Sequence, residues 1–240
     1  MNRWLKKPNL EDSPQVNIIL FGSPGAGKGT QGDKIAKKFD LHKVSTGDLL
    51  RDEIKKNTTL GNKIKSIIDK GLMVSDELMN DLIIKIISDE NFYNRLIFDG
   101  YPRNLDQAKD LDFFLKKYKQ KISCVLCLKV EKEFAIKRIL GRQICAKCGM
   151  IFNEYFIKAT KINHLCDPKF LKKRSDDNES TITNRFETYL NKTLPILDFY
   201  KKQNLLHEIN GMLGIDAIFD KIQGIIASLE TWLYKLYLYK

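Results

Sequence analysis

Val16-Asn17-Ile18-Ile19-Leu20-Phe21-Gly22-Ser23-Pro24-Gly25-Ala26-Gly27-Lys28-Gly29-Thr30 carries an apolar run straight into a glycine-rich turn. The run Val16 to Phe21, apolar at every position but Asn17, predicts a strand of a parallel sheet. The glycines after it let backbone N–H groups turn inward around phosphate oxygens. The helix that Lys28 opens adds partial positive charge at its N-terminus, and the Lys28 ammonium reaches terminal phosphates. One letter departs from the general pattern: Gly29 stands where Ser or Thr usually follows the Lys, so the hydroxyl comes from Thr30. A ligand-free glycine turn would not account for a strand before it and a helix after it.

Outward from this loop, short apolar runs alternate with amphipathic segments. Lys43 to Ser45, Leu96 to Phe98, Ser123 to Lys129 and Leu205 to Ile209 read as further strands. Lys28–Lys38, Asp48–Asn57, Leu60–Lys70, Asp76–Ser88, Leu105–Tyr118 and Glu131–Leu140 read as helices, several entered by Ser, Thr or Asp. The expected fold is α/β: a parallel five-stranded phosphate-loop sheet with helices on both faces. From Arg142 to Asp177 the helical period fails and cysteines, aromatics and lysines crowd together, which reads as a small inserted lobe. One long helix, Glu179 to Lys202, is expected to return the chain to the core, followed by a last one from Asp216 to Leu229. The division is thus an extension over 1–15, a core over 16–141 and 178–229, a lobe over 142–177 and a second extension over 230–240.

The chain has 240 residues, a net charge of +11 and five cysteines. The charge points toward nucleic acid, an acidic membrane or a phosphorylated substrate. Five cysteines are too few for a disulfide scaffold, and their odd number suits a reducing compartment. No apolar run reaches the ~20 residues of a membrane span, and the polar first fifteen residues lack a signal peptide's apolar centre. A cytoplasmic protein is expected, in preference to a mitochondrial one. Cys124 and Cys127, three apart on an expected strand, point to opposite faces and read as core thiols rather than a redox pair.

The loop's spelling, Pro24 with Lys28-Gly29-Thr30, resembles the nucleoside monophosphate kinases, and four further motifs resemble the adenylate kinases among them. These are Ser45-Thr-Gly-Asp-Leu-Leu-Arg51, Phe98-Asp-Gly-Tyr-Pro-Arg103 with Gln107, Arg138-Ile-Leu-Gly-Arg142, and Arg174-Ser-Asp-Asp-Asn-Glu179 with Arg185. The resemblance runs from Val16 to Leu229 and implies reversible phosphoryl transfer from Mg-ATP to AMP, giving two ADP, by a monomer. It implies that Gly25, Ala26, Gly27, Lys28, Gly29 and Thr30 bind ATP phosphates with Arg138 and Arg142, and that Arg51 and Arg103 grip the AMP phosphate. Arg174 and Arg185 join them around the transferred group. Thr46, Met73, Val74, Gly100 and Gln107 would form the AMP site, with Thr46 and Gln107 reading adenine. Asp99 would hold the waters of Mg²⁺, while Asp48, Asp176 and Asp177 sit in matched motifs with roles left open. The helices within 46–75 and the lobe are expected to close over the nucleotides and exclude water.

The lobe is of the family's long form, in which a Cys-x-x-Cys and a later pair hold structural zinc. Here Cys145-Ala-Lys-Cys148 is intact but Lys169 falls where the last ligand belongs, so Cys166 with His164 or Asp167 compete for two places. Zinc and a metal-free lobe are both left open. Gln143, where many members carry another Arg, and Gly71-Leu-Met-Val74 also depart from the family, with little expected consequence.

Two other functions share part of this pattern. A GTP:AMP phosphotransferase would share every motif, because the donor base is read mainly by backbone near Asn210 to Leu213 and by Arg138. A zinc-knuckle nucleic-acid-binding protein would suit the charge, Phe152, Tyr155 and Phe156, but leaves the phosphate loop and both AMP motifs unexplained; nucleic acid is not expected as a partner. The tail Thr231 to Lys240, rich in Tyr, Leu and Lys, reads as a packed helix extension, a partner contact or a membrane-surface contact, with packing on its own core favoured.

Overall fold

The computed structural model describes residues 16–238, with side chains described through Leu229. The extension over 1–15 and the side-chain packing expected of the tail lie outside the described residues. The expected five-stranded parallel sheet is present, in the order β2 (His42–Ser45), β3 (Leu96–Asp99), β1 (Asn17–Gly22), β4 (Ile122–Lys129), β8 (Leu206–Asn210). β1 is central and every one of its residues is buried, which is why its sequence shows no alternation. It pairs Ile19 with Phe98 on one side and with Val125 on the other.

The period of two shows instead in which core each residue enters. Ile19, Phe21, Phe98, Val125 and Cys127 pack on one face against α2 (Thr46–Lys55), α3 (Thr59–Ile68), α4 (Asp76–Ile87), α5 (Leu105–Lys117) and α8 (Ile196–Lys202). Ile18, Leu20, Ile97, Cys124 and Leu126 enter the other face, against α1 (Lys28–Phe39) and α9 (Ile215–Leu238). Cys124 and Cys127 therefore lie in opposite cores, as their spacing requires. On α9 the residues Ile218, Ile222 and Ile226, one helical repeat apart, are all buried, and each contributes about 2 kcal/mol by leaving water.

Side-chain caps start the helices that border the cavity. Ser45 Oγ accepts from Asp48 N–H at 3.3 Å, and Asn104 Oδ1 from Gln107 N–H at 2.8 Å. Asn178 Oδ1 does the same for Thr181 at 3.0 Å.

One expectation about 142–202 is corrected, the single helix from Glu179 to Lys202. The lobe, placed between α6 (Lys132–Leu140) and α7 (Glu179–Thr188), contains an antiparallel sheet in the order β6 (Ile151–Asn153), β5 (Arg142–Cys145), β7 (Leu171–Lys172). Strands of two to four residues are too short to print a period in sequence. The single helix from Glu179 to Lys202 is in fact α7, a π turn over Tyr189–Thr193, and α8. Pro195 is the reason: it has no N–H to donate to the carbonyl of residue 191, and its ring crowds that carbonyl. The turn widens, and Leu194 N–H reaches back five residues to Tyr189 C=O at 2.8 Å. α9 continues as helix past Leu229 through Leu238, the extension that the tail's composition allowed.

Candidate active site

The phosphate loop joins the C-terminal end of β1 to α1, at the point where chain order reverses from β3 on one side of β1 to β4 on the other. Crevices form at such points because the following loops diverge. Gly25 and Gly27 have φ of +79° and +96°, and a Cβ on Gly25 would stand 2.3 Å from Ala135 O, so only glycine allows this close approach. Gly27 caps α1 without a side chain, which leaves the helix's first N–H groups facing the cavity. Lys28 Nζ donates to Gly22 O at 2.8 Å and Ser23 O at 3.0 Å, closing the loop on itself. Burial lowers the Lys28 ammonium to about 8, against the opposing pull of Asp99. Burial in turn raises the Asp99 carboxyl, while Lys28 holds it down.

A cavity of about 610 Å³ opens above the loop. The structure brings to its wall Gly25 through Thr30, Arg51, Met73, Val74, Asp99, Gly100 and the arginines Arg103, Arg138, Arg142, Arg174 and Arg185. These residues come from seven separate stretches of chain. Thr46 and Gln107 stand behind the wall. The buried Thr46 hydroxyl donates to Gly100 O at 3.0 Å. Gln107, also buried, accepts the Arg103 N–H on Oε1 at 2.7 Å and donates from Nε2 to Asp76 at 2.6 Å.

The acids whose roles were open are partners of these arginines. Arg142 forks Asp177, Arg185 donates to Asp176 at 3.1 Å, and Arg51 donates to Asp48, with Arg174 3.9 Å from the same carboxylate. Burial would raise the Asp48 carboxyl, but hydrogen bonds from Arg51 and Ser45 outweigh it and hold it below the usual range. Arg103 lies deep in a cleft that solvent still reaches; desolvation there, and then the like charge of Arg185, bring it down to about 10. Desolvation and the neighbouring Arg142 do the same to Arg174. Crowded cations in a confined space are suited to a polyanion whose charge grows during reaction.

Part of the wall was not anticipated. Phe134 lies under the Arg138 guanidinium at 4.6 Å and against Phe156 at 4.8 Å. Tyr189 reaches the cavity one α-helical turn after Arg185, and Thr193 reaches it because the π turn rotates it there. Phe134 could have been found from its four-residue spacing to Arg138, and Tyr189 from the same spacing to Arg185; Thr193 carries no local signal.

In the lobe, Cys145, Cys148, His164 and Cys166 bring their ligand atoms within 4.8 Å of one another. Cys148 N–H points at Cys145 Sγ at 3.5 Å. His164 is buried, its ring is edge-on to Phe152, and its Nε2 has no hydrogen-bond partner. An imidazole nitrogen buried without a partner beside three thiols fits a tetrahedral Cys₃His metal centre. Asp167 stands outside this group: it accepts Lys169 N–H at 2.9 Å and pairs with the Lys169 ammonium at 3.3 Å. Of the two candidates left by the sequence, the fold thus brings in His164.

The family model described as Adenylate kinase matches residues 20–205. A protein named Adenylate kinase from Pelagibacter ubique (strain HTCC1062) is 46% identical over 211 residues, which is 88% of this chain and 99% of that one. Proteins of the same name from Clostridioides difficile (strain 630) and Caldanaerobacter subterraneus subsp. tengcongensis are each 40% identical. The first covers 89% of this chain and 99% of its own length, the second 87% and 95%.

Proposed function

Because this chain belongs to the adenylate kinase family, we propose that it transfers the terminal phosphoryl group of Mg-ATP to AMP, reversibly, giving two ADP. The observation that carries this reading is the gathering of Lys28 and six arginines around one cavity above a phosphate loop. An AMP phosphate oxygen attacks the γ-phosphorus, the bond from γ-phosphorus to the β–γ bridging oxygen breaks, and that oxygen leaves with ADP. The attacking oxygen is already an anion at neutral pH, so no general base is required and catalysis is alignment and charge neutralisation.

In this reading the N–H groups of Gly25 to Thr30 and the Lys28 ammonium hold the donor phosphates, with Arg138 and Arg142 closing from the lobe side. Lys28 exchanges the Gly22 and Ser23 carbonyls for phosphate oxygens. Arg51 and Arg103 grip the acceptor phosphate, while Arg174 and Arg185 neutralise the group in flight. Met73, Val74 and Gly100 wall the acceptor base and ribose. Thr46 and Gln107 complete that side, and adenine recognition by Gln107 requires its amide to leave Asp76 or the Arg103 N–H. Asp99, which lies beside Gly29 and Lys28, would hold the waters of the Mg²⁺ that travels with ATP, an ion that prefers oxygen ligands and retained waters. Arg142 to Asp177 acts as a lid and 46–75 as the acceptor arm; their closure excludes water.

Zinc in the Cys₃His centre supports the lid as a structural ion and takes no part in the chemistry. The protein works as a cytoplasmic monomer on free nucleotides; among the described residues no helix is long and apolar enough to cross a membrane. Steady-state formation of ADP from ATP and AMP tests the assignment, with GTP as the competing donor. Turnover with ATP at least as efficient as with GTP is expected; absence of turnover, or a GTP efficiency far above that of ATP, overturns it.

A further inference from the structure

Both backbone polar groups of Arg103 are held by side chains from other elements. Its N–H donates to Gln107 Oε1 at 2.7 Å, and its C=O accepts from the Thr193 hydroxyl at 2.8 Å. The guanidinium Nε turns back to Gly100 O at 2.8 Å. The loop around Arg103 has no ladder of its own, so these bonds decide where the guanidinium starts from.

Thr193 is buried at the end of the π turn. An α-helix advances about 100° per residue, so Thr193, eight residues after Arg185, would stand about 80° away from it around the axis. The four steps from Tyr189 to Thr193, wound as π and each turning about 20° less, cancel that offset. Arg185, Tyr189 and Thr193 consequently share the face that lines the cavity. One short segment thus carries a cation at one end and, at the other, the hydroxyl that fixes the backbone of a second cation. The Arg103 and Arg185 guanidinia sit near enough to repel each other. Their separation is imposed by the scaffold and would widen without it.

We propose that Thr193 is a positioning residue for phosphoryl transfer, holding Arg103 at a set spacing from Arg185 through its hydroxyl bond to the Arg103 carbonyl. This rests on the reading of Arg103 as a clamp on the acceptor phosphate. Thr193→Val keeps the shape and removes the donor, whereas Thr193→Ser keeps the donor. Thr193→Val lowers kcat about tenfold with KM for ATP unchanged, and Thr193→Ser restores kcat to within about twofold.

The deciding measurement is a double-mutant cycle on kcat. In the Arg103→Ala background, adding Thr193→Val costs nothing further if Thr193 acts through Arg103. A full tenfold multiplication there, or native kcat in Thr193→Val alone, overturns the assignment of Thr193 while leaving the clamp reading intact. Native turnover in Arg103→Ala alone would instead sink the clamp reading, so the two failures are told apart. Circular dichroism and thermal midpoints of each variant confirm that folded protein is being compared.

Discussion

Arg142 donates to both carboxylate oxygens of Asp177, from Nε to Oδ2 at 2.8 Å and from Nη2 to Oδ1. The Asp177 side chain is completely enclosed, and Arg185 Nη1 stands 3.8 Å from the same carboxylate. The two residues are the first and last of the inserted lobe, so this pair ties the lobe shut at its base. Asp177→Asn keeps the shape, removes the charge and leaves two guanidinia without their shared counter-ion. A loss of about 3 kcal/mol in unfolding free energy is expected, measured by urea titration; an unchanged midpoint would show that the pair is dispensable.

Arg103→Ala removes a clamp from the acceptor side of the cavity without touching Lys28. Turnover should fall by about a hundredfold or more, while the dissociation constant for ATP, measured by calorimetry, stays within about twofold. Full turnover, or an equal loss of ATP affinity, contradicts the division of the cavity into donor and acceptor sides.

Lys28 supplies a pH dependence whose sign can be worked out. Its conjugate acid is lowered to about 8 in the free protein, so the ammonium that grips phosphate is present below that pH and is lost above it. Binding then has to take up a proton, and the dissociation constant for ATP should rise by up to about tenfold for each unit above pH 8. Calorimetry between pH 7 and 9.5 checks this, and an affinity that is flat across that range rules the mechanism out.

The lobe's metal centre yields a test that separates ligands from bystanders. Purified protein should carry about one equivalent of zinc, with Cys145→Ser and His164→Ala each losing it and Asp167→Ala keeping it. Chelation should lower the thermal midpoint by several degrees. Zinc retained by His164→Ala but lost from Asp167→Ala would reverse the assignment made from the fold.

The core was legible because its signals are local. β1 needs only its own six residues to declare a strand of a parallel sheet, and the glycine loop announces its conformation through residues that must take positive φ. What stayed hidden depends on partners far away in sequence. Asp177 is a conspicuous acid in a matched motif, yet its use is set by Arg142, thirty-five positions earlier. Thr193 would face elsewhere on an uninterrupted helix, and the π turn that redirects it is a response to Pro195. His164 and Asp167 were equal candidates by spacing; the fold separates them because Asp167 is committed to the turn at Lys169. The lobe's strands escaped notice for a simpler reason, since β7 has only two residues.

The separation of Cys124 and Cys127 into opposite cores has a practical consequence for anyone handling the protein. Burial raises the Cys124 thiol to about 12 and the Cys127 thiol to about 11, which keeps both protonated and sheltered from alkylating reagents in the native state. Of five free thiols, only the exposed Cys148 and the half-buried Cys166 are then available to modification, Cys145 being buried in the lobe. A colorimetric thiol titration of folded protein therefore reads the lobe alone: none reacting with its metal in place, two after chelation, and all five on denaturation.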